Sequence, residues 1–220
     1  MPMYPLLFFR FYKIFAPNNN QKLLYANDTE LVIEGFPRSA NTFAVVTFKQ
    51  AQSRPVKMAH HLHVEAQLVQ AAKENKPAVA LLRNPEDSFR SLMIRHPETP
   101  VYWAIQRYIH FYSAIKKLGS KCLVVTYEEV ISDMGGVVEK INKRFGTDFD
   151  VPIHDDGMVK NVFLEVESIN KRIDQGKESH VARPSDERSE QSQKLNLSGY
   201  ETDINKAMEL YNCLKEKNSA

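Results

Sequence analysis

The chain has 220 residues, of which 43% are hydrophobic and 25% are charged, with a formal net charge of +2 at pH 7. This length and composition predict a single globular domain with a full hydrophobic core. A net charge so close to zero argues against a nucleic-acid-binding protein, which usually carries a clear basic excess. Cys122 and Cys213 lie far apart in the sequence. We therefore expect neither a disulfide framework nor a zinc site, and we expect a reducing, cytoplasmic location.

The N-terminus carries an apolar segment that reads LLFFRFYKIF from residue 6 onward. It is too short and too interrupted by charge for a membrane span of about 20 residues, and it lacks the pattern of a signal peptide. We interpret residues 1–20 as an apolar arm and residues 21–220 as one domain. We favour docking of the arm on the core or on a second subunit of a homodimer over peripheral membrane contact through residues 1–16.

Along the rest of the chain, short apolar runs alternate with segments of helical periodicity. The runs predicted as strands are residues 31–33, 56–59, 77–82 and 122–126. The segments predicted as helices begin at residue 42 and continue with residues 64–75, 86–95, 102–118, 137–145 and 204–214. This alternation predicts a three-layer α/β/α fold with a central parallel sheet. Ligands of such sheets bind at the carboxyl ends of the strands, which places Gly35, His60 and Arg83 in one crevice.

The first predicted strand runs into a tight polar turn and then a helix, in the sequence LVIEGFPRSANTF. Gly35 and Pro37 end the strand, and Ser39 and Asn41 are residue types that open a helix. This arrangement leaves backbone N–H groups free at the helix N-terminus, where they can hold an anion. Arg38 adds a fixed positive charge. We predict an anion-binding loop here; the alternative is an ordinary strand–helix connection with a surface arginine.

The turn departs from the nucleotide-phosphate loop G-x-x-x-x-G-K-[ST] at two positions. Gly35 and Thr42 stand at its ends with the correct spacing. Between them, Ala40 occupies the place of the second glycine and Asn41 that of the lysine that reaches the β- and γ-phosphates. The positive charge has moved to Arg38. This pattern argues against a kinase or an NTPase.

The turn resembles the 5′-phosphosulfate loop of the sulfotransferases that use 3′-phosphoadenosine 5′-phosphosulfate (PAPS), which reads roughly P-[KR]-S-G-T-T-[WF]. In this chain the loop is Pro37-Arg38-Ser39-Ala40-Asn41-Thr42-Phe43, with alanine and asparagine at two of the family's positions. The resemblance implies a P-loop-type site in which these residues bind PAPS. It also implies that the ring of Phe43 stacks on the adenine, with a core position as the alternative for this ring.

A second match follows the third predicted strand. Arg83-Asn84-Pro85 and Ser91 resemble the family's 3′-phosphate motif R-[DN]-P-x-[DE]-x-x-x-S, with the same spacing between arginine and serine. An arginine at the carboxyl end of a strand can bind a phosphate through two N–H donors, and Ser91 can present its hydroxyl to the same group. The alternative is an arginine that pairs with Asp87 as the helix begins.

Two further matches lie nearer the C-terminus. The segment CLVVTYEEV resembles the family's L-x-V-x-Y-E-[DE]-L, which implies an adenine contact for Tyr127, with a core position as the alternative. Residues 174–199 read as a long polar loop, a kind of segment that is often functional in a compact domain. By its place in the chain, this loop takes the part of the family's second 3′-phosphate clamp, which implies binding by Arg183 and Arg188, together with Lys194. A solvated charged loop is the alternative.

Three histidines follow the second predicted strand, in the sequence KMAHHLH. Many family members place a catalytic histidine here, in a sequence like K-T-H-L-P. His61 aligns best with it, so the resemblance implies His61 as the general base, with His60 and His63 as alternatives. On an extended backbone, His61 and His63 share a face and His60 points the other way. A histidine suits this work because its pKa lies near neutral pH. We favour catalysis over metal binding, because few further ligands lie nearby.

The resemblance implies in-line transfer of the sulfuryl group from PAPS to an acceptor hydroxyl, with adenosine 3′,5′-bisphosphate as the product and no metal required. Arg38 and the loop N–H groups would stabilise the developing charge. Aromatic residues of the long predicted helix suggest a carbohydrate, another small alcohol or a phenol as acceptor. They are Tyr102, Trp103, Tyr108, His110 and Phe111. Two other functions are open: a small-molecule or nucleotide kinase, and a catalytically silent nucleotide-binding scaffold.

Overall fold

The protein is described by a computed structural model that covers residues 8, 9, 12, 21–173, 195 and 197–218. Its central sheet consists of short apolar strands that are all parallel. The strands are β1 (Leu31–Gly35), β2 (Met58–His60), β3 (Ala78–Leu82) and β4 (Leu123–Thr126). Their order in the sheet is β2-β1-β3-β4. The strand β1 therefore lies between β2 and β3, and the chain crosses over the sheet to form each parallel pair.

Helices connect the strands and cover both faces of the sheet. They are α1 (Asn41–Ala51), α2 (Glu65–Lys73), α3 (Pro85–Arg95), α4 (Val101–Leu118), α5 (Tyr127–Ser132), α6 (Met134–Phe145), α7 (Asp156–Ile173) and α8 (Glu201–Asn218). Helices α2, α3, α4 and α8 contribute to the core on one face. Helices α1, α5, α6 and α7 contribute to the core on the other. A parallel sheet between two helical layers confirms the predicted three-layer α/β/α fold.

The uniformly apolar run at the start of β1 has a simple physical explanation. Val32 faces one core, whereas Leu31 and Ile33 face the other, because side chains alternate along a strand. All three side chains are at most 1% exposed. Full burial of such a side chain stabilises the fold by about 1.5–3 kcal/mol. A strand that is covered on both faces therefore needs apolar residues at consecutive positions.

Two of the helices are not predicted from the sequence. The first, α5, begins with a capping box: Thr126 Oγ1 accepts from the Glu129 N–H at 3.2 Å, and Glu129 Oε2 accepts from the Thr126 N–H at 2.7 Å. The second, α7, buries Val162 and Val166 against the core that contains α1. The sequence carries both signals, a T-x-x-E pattern and apolar residues four apart.

Of the predicted apolar arm, the structure describes Phe8, Phe9 and Tyr12. Phe8 is 5% exposed and packs with Leu24 and Ala66. The division into an arm and one domain stays a prediction. None of the helices within the described ranges combines the length and apolar character that a membrane crossing requires. Most of the predicted polar loop, including Arg183, Arg188 and Lys194, lies outside the described residues.

Candidate active site

The carboxyl ends of β1, β2 and β3 lie at one edge of the sheet, as predicted. Gly35, the last residue of β1, pairs with Leu81 of β3. A Cβ atom at Gly35 would lie 2.7 Å from the Leu81 carbonyl oxygen, so only glycine allows the two strands to approach so closely here. The Gly35 carbonyl then accepts from His63 Nδ1 at 2.8 Å, which ties the segment after β2 to the end of β1.

The loop between β1 and α1 leaves the start of α1 without a side-chain cap, and this helix begins differently from the prediction. The N-cap residue of α1 is Ala40, and no side chain caps this helix. Ser39 is fully buried, and Asn41 Nδ2 donates to the Phe36 carbonyl oxygen at 3.2 Å, so neither acts as the expected N-cap. Arg38 and Ala40 have φ angles of 74° and 64°. Such left-handed conformations cost about 1–3 kcal/mol in residues other than glycine and cluster at functional sites.

Two arginines and a serine form one connected group beside this loop. Arg83 Nη1 donates to the Arg38 carbonyl oxygen at 2.9 Å, and Arg38 Nε donates to Ser91 Oγ at 3.1 Å. The resemblance assigns Ser91 and Arg83 to the 3′-phosphate and Arg38 to the other end of the nucleotide. The folded chain instead joins the two, because α3 brings Ser91 within reach of the long Arg38 side chain.

The guanidinium of Arg83 is only partly hydrogen-bonded within the described residues. Its Nε atom is buried and has no hydrogen-bond partner among the described residues. No ion pair joins it to Asp87 in that part of the chain; Asn84 instead caps α3 by accepting from the Glu86 and Asp87 N–H groups. Its guanidinium carbon lies 4.3 Å from the centroid of the Tyr127 ring, a cation–π contact. An unpaired N–H donor can bind an anionic group, and a planar ring beside it can stack on a nucleobase, so the pair suits an anionic nucleotide.

The histidine segment is not extended, so the predicted alternation of faces is wrong. His61 and His63 have φ angles of 63° and 54°. These turns bring the rings of His60 and His61 together, with 2.7 Å between their Nδ1 atoms. The ring centroids of His61 and His63 lie 6.2 Å apart. His60 is 7% exposed and His61 and His63 are half-buried, so the three rings form one compact cluster.

A buried carboxylate that sequence reasoning missed holds this segment in place. Glu34 is fully buried, and it accepts from the Leu62 N–H at 2.9 Å, the His63 N–H at 2.9 Å and Gln67 Nε2 at 2.7 Å. Burial raises its pKa to about 7, although these hydrogen bonds and the Arg107 charge act the other way. A charged residue within the apolar run LVIEG is the signal that could have identified it.

Burial keeps all three histidines neutral at pH 7. It lowers the pKa of His60 to about 3, with a further contribution from the charge of Lys49. It lowers the pKa of His63 to about 4, in spite of the hydrogen bond to Gly35 and with further contributions from nearby arginines, Arg107 first. The pKa of His61 lies well below its usual range, again chiefly because of burial. A neutral imidazole has one nitrogen that can accept a proton.

The ring nitrogens of His61 and His63 have different surroundings. His61 Nδ1 contacts His60, and its Nε2 lies 3.1 Å from Thr42 Oγ1, so both nitrogens are engaged. The carbonyl oxygen of Gly35 can only accept, so His63 carries its proton on Nδ1. This leaves a lone pair on His63 Nε2, which has no hydrogen-bond partner among the residues that the structure describes.

Phe43 is buried between α1 and α7. It is 3% exposed, and its ring centroid lies 5.6 Å from that of Phe163. This burial favours the core position, the alternative to the adenine contact that the resemblance implies, because α7, which the sequence did not predict, covers the ring. Tyr127 is half-buried and stays available.

The long helix α4 contributes to the site in a way that differs from the prediction. Tyr108 and Phe111 are at most 1% exposed, so neither can form an aromatic platform. Tyr108 instead donates its hydroxyl to the Arg83 carbonyl oxygen at 2.7 Å. Tyr102 and Trp103 are 56% and 49% exposed, and they are the aromatic residues of the predicted platform that solvent reaches freely.

Two polar residues of α4 connect it to the start of α2 and to the histidine segment. His110 Nε2 lies 3.0 Å from a carboxylate oxygen of Glu65. Arg107 donates to the His63 carbonyl oxygen at 2.9 Å, and its guanidinium carbon lies 5.2 Å from the centroid of the Trp103 ring. The exposed indole thus lies one side chain away from the histidine segment. Within the described ranges, no three histidine, cysteine or carboxylate side chains are grouped to hold a metal ion.

Comparison with solved structures identifies the fold. A crystal structure of mouse sulfotransferase SULT7A1 complexed with PAP matches this chain with a TM-score of 0.57 over 94% of this chain and 96% of that chain. This chain has the sulfotransferase fold. The two sequences are 15% identical. The sequence by itself matches neither a protein-family model nor a curated protein. In this chain the loop after β1 and Arg83 after β3 lie at the same edge of the sheet, as parallel strands require.

Proposed function

We propose that this protein transfers a sulfuryl group from PAPS to an acceptor hydroxyl. The observation that carries the proposal is the connected pair of arginines at the carboxyl edge of a sheet with the sulfotransferase fold. Arg38 lies in an uncapped loop with left-handed residues, and Arg83 keeps a buried donor without a partner in the described part of the chain. The structural neighbour, a mouse sulfotransferase, is complexed with PAP.

The residues at this edge fit the two ends of such a nucleotide. The free N–H groups of α1 and the Arg38 side chain would hold the 5′ end, because a helix N-terminus and a guanidinium both favour anions. Arg83 would hold the 3′-phosphate, with Ser91 beside it. Tyr127, already in contact with Arg83, would lie against the adenine. Roles for Arg183 and Arg188 rest on the sequence resemblance.

When bound, the donor supplies the sulfuryl group; the chain supplies orientation, charge and a proton acceptor. The geometry favours His63 over His61 as that acceptor. His63 Nδ1 donates to Gly35, its backbone N–H is bonded to Glu34 and its carbonyl oxygen to Arg107. Each of these contacts fixes the ring and leaves the Nε2 lone pair as the one that can take the hydroxyl proton. Arg38 would stabilise negative charge on the departing phosphate.

The acceptor would bind on the side of the histidine segment that faces α4. Trp103 presents an exposed ring there, because Arg107 links it to the backbone of His63, and the exposed Tyr102 precedes it in the sequence. A flat, partly apolar face suits a sugar ring or a phenol. We therefore propose a carbohydrate or another small alcohol or phenol as acceptor.

Two other functions are less well supported by the residues. A kinase needs a lysine that reaches the phosphates from the position of Asn41, but this residue is 4% exposed and its amide bonds the Phe36 carbonyl oxygen. A silent scaffold does not require the buried network of Glu34 that fixes the histidine segment. Preserving this network costs stability, because it keeps an ionisable group away from water.

One experiment separates these three functions. The thermal unfolding of the full chain is measured with adenosine 3′,5′-bisphosphate (PAP) without metal, and separately with ATP and Mg²⁺. At 100 times its Kd, a ligand that binds only the folded state stabilises it by about 2.7 kcal/mol, which raises Tm by several degrees. We expect this increase with PAP. An increase with ATP and Mg²⁺ alone would support a kinase, and no increase with either would support a scaffold.

A further inference from the structure

A continuous chain of side chains joins Lys49 to the hydroxyl of Thr42 through two histidine rings. Lys49 Nζ lies 3.0 Å from His60 Nε2. His60 Nδ1 lies 2.7 Å from His61 Nδ1, and His61 Nε2 lies 3.1 Å from Thr42 Oγ1. Thr42 and Lys49 lie about two turns apart on α1, and hence on the same face. The two ends of this series of side chains, Lys49 and Thr42, therefore belong to one helix. The two histidines between them lie at the end of β2.

The chemistry of these groups allows one arrangement of protons when Lys49 is charged. An ammonium group only donates hydrogen bonds, so His60 must accept at Nε2. A neutral imidazole has one donor and one acceptor nitrogen, so His60 then carries its proton on Nδ1 and donates it to His61 Nδ1. His61 in turn carries its proton on Nε2 and donates it to Thr42. The charge at one end thus determines where the protons lie on both rings.

The same reasoning determines the direction of the Thr42 hydroxyl. Its oxygen accepts from His61, so its own proton is left to donate elsewhere. Thr42 lies in the first turn of α1, next to the uncapped N–H groups and Arg38. A hydroxyl that donates at this point adds one hydrogen bond to an anion in the loop. If the hydrogen bonds from Lys49 to Thr42 all had the opposite direction, Thr42 would donate to His61 and could no longer donate to an anion in the loop.

Burial of the rings supports the arrangement. His60 is 7% exposed, its ring centroid lies 4.8 Å from that of His61, and the two planes meet at 78°. Burial and the neighbouring Lys49 lower the pKa of His60, and burial lowers that of His61, so both rings stay neutral. A doubly protonated ring would break the chain, because it has no acceptor nitrogen.

We propose that Lys49 is a positioning residue for the anion-binding loop. Its charge sets the tautomers of His60 and His61 and thereby directs the Thr42 hydroxyl proton toward the 5′-phosphate of the bound nucleotide. The part that concerns the ligand rests on the proposed function; the part that concerns the tautomers does not. The same tautomer leaves His61 without a free lone pair, which agrees with His63 as the proton acceptor.

The first test measures the tautomers in the ligand-free protein by long-range proton–nitrogen NMR correlations of the histidine rings. We expect the proton on Nδ1 of His60 and on Nε2 of His61. The variant Lys49→Met should lose this pattern, and Lys49→Arg should keep it. Lys73→Met is the matched control, because Lys73 is also exposed and lies in the last turn of another helix. A proton on Nε2 of His60, or an unchanged pattern in Lys49→Met, would overturn the inference.

The second test measures PAP affinity by calorimetry in a double-mutant cycle. Lys49→Met and Thr42→Ala should each weaken binding by about ten-fold, the effect of one hydrogen bond to a charged group. Lys49→Arg and Lys73→Met should bind within about two-fold of the wild type. The double variant should bind no more weakly than Thr42→Ala, because Lys49 acts through Thr42. If the losses of the two single variants add up in the double variant, Lys49 does not act through Thr42.

The two tests also separate this inference from the proposed function. If the wild type shows the expected tautomers and does not bind PAP, the proposed function fails and the assigned ligand fails with it, while the link from Lys49 to Thr42 stands. If the wild type binds PAP and the tautomers differ, the inference fails alone.

Discussion

The two sides of the crevice differ in the charge of their side chains. On the β3 side, Arg38 and Arg83 are permanent cations held by hydrogen bonds to a serine and to a carbonyl oxygen. On the β2 side, burial keeps the pKa of His60 at about 3 and that of His63 at about 4, so these rings stay neutral. The same edge of the sheet therefore carries arginines that can bind anions and, opposite them, neutral histidine rings that can accept a proton. The neighbouring cations help to keep the histidines uncharged.

The largest effect is expected from removing the proton acceptor of the β2 side. His63→Asn retains a donor near the position of Nδ1 for the Gly35 carbonyl, and asparagine tolerates the left-handed backbone. We expect turnover with PAPS and an acceptor to fall by about 10²- to 10⁴-fold, the usual contribution of a general base. PAP affinity should hardly change, because the ring does not hold the nucleotide.

His61→Gln is the comparison for this variant, since its amide nitrogen can still donate to Thr42. We expect it to retain more activity than His63→Asn. The reverse order of activities would return the role of base to His61, and wild-type activity in both variants would exclude His61 and His63 as the base.

On the β3 side, the expected effect is on binding. Arg83→Met removes the guanidinium whose Nε has no partner within the described chain. PAP affinity should fall by about 10- to 100-fold, because hydrogen bonds to charged groups contribute about 1.5–3 kcal/mol each. Calorimetry with PAP measures this loss directly.

Lys143→Met, a change of one exposed charge on α6, is the control and should leave the affinity unchanged. If Arg83→Met binds PAP as well as this control does, the assignment of the 3′-phosphate to Arg83 is wrong.

A smaller effect is expected on stability as a function of pH. The folded state lowers the pKa of His60 and His63 below 6.5, so their contribution to stability is lost as pH falls below that value. Glu34 has a raised pKa of about 7, and it favours the folded state more as pH falls. His61, whose pKa is also lowered, adds to the loss from His60 and His63. Three histidines outweigh one carboxyl, and from pH 6.5 to pH 5 the free energy of unfolding should fall by about 3 kcal/mol.

Urea unfolding at several pH values measures this change. In Glu34→Gln the opposing contribution is absent, so the free energy of unfolding should fall more steeply over the same range. A variant with a shallower dependence than the wild type would contradict the raised pKa of Glu34.

The smallest effect distinguishes the two aromatic residues that the resemblance assigned to adenine. Tyr127→Ala should weaken PAP binding by a few-fold, because a cation–π partner of Arg83 contributes about 0.5–2 kcal/mol. Phe43→Leu should lower the free energy of unfolding by about 1 kcal/mol and leave the affinity unchanged, since Phe43 packs in the core. A larger loss of affinity in Phe43→Leu would reverse the two assignments.

The local pattern of apolar residues was sufficient to predict the strands and most of the helices of this protein. The apolar runs that became β1 to β4 and the periodic segments that became α2, α3 and α4 are predictable, because burial on one or two faces imposes a repeat on the sequence. The order of strands and helices then implied a parallel sheet and brought Gly35, His60 and Arg83 to one edge. The turn around Arg38 was recognisable for the same reason, since its spacing is local.

Only the tertiary structure decided which side chains meet at that edge. The contacts of Arg38 with Ser91, of Glu34 with the backbone of His63, and of Lys49 with His60 each join different elements. The positive φ angles of His61 and His63 go with a contact between the rings of His60 and His61, which an extended backbone would place on opposite faces. No local repeat encodes such contacts, because they depend on how the packed helices and strands place long polar side chains across distances in the sequence. The identity of the proton acceptor depends on those contacts.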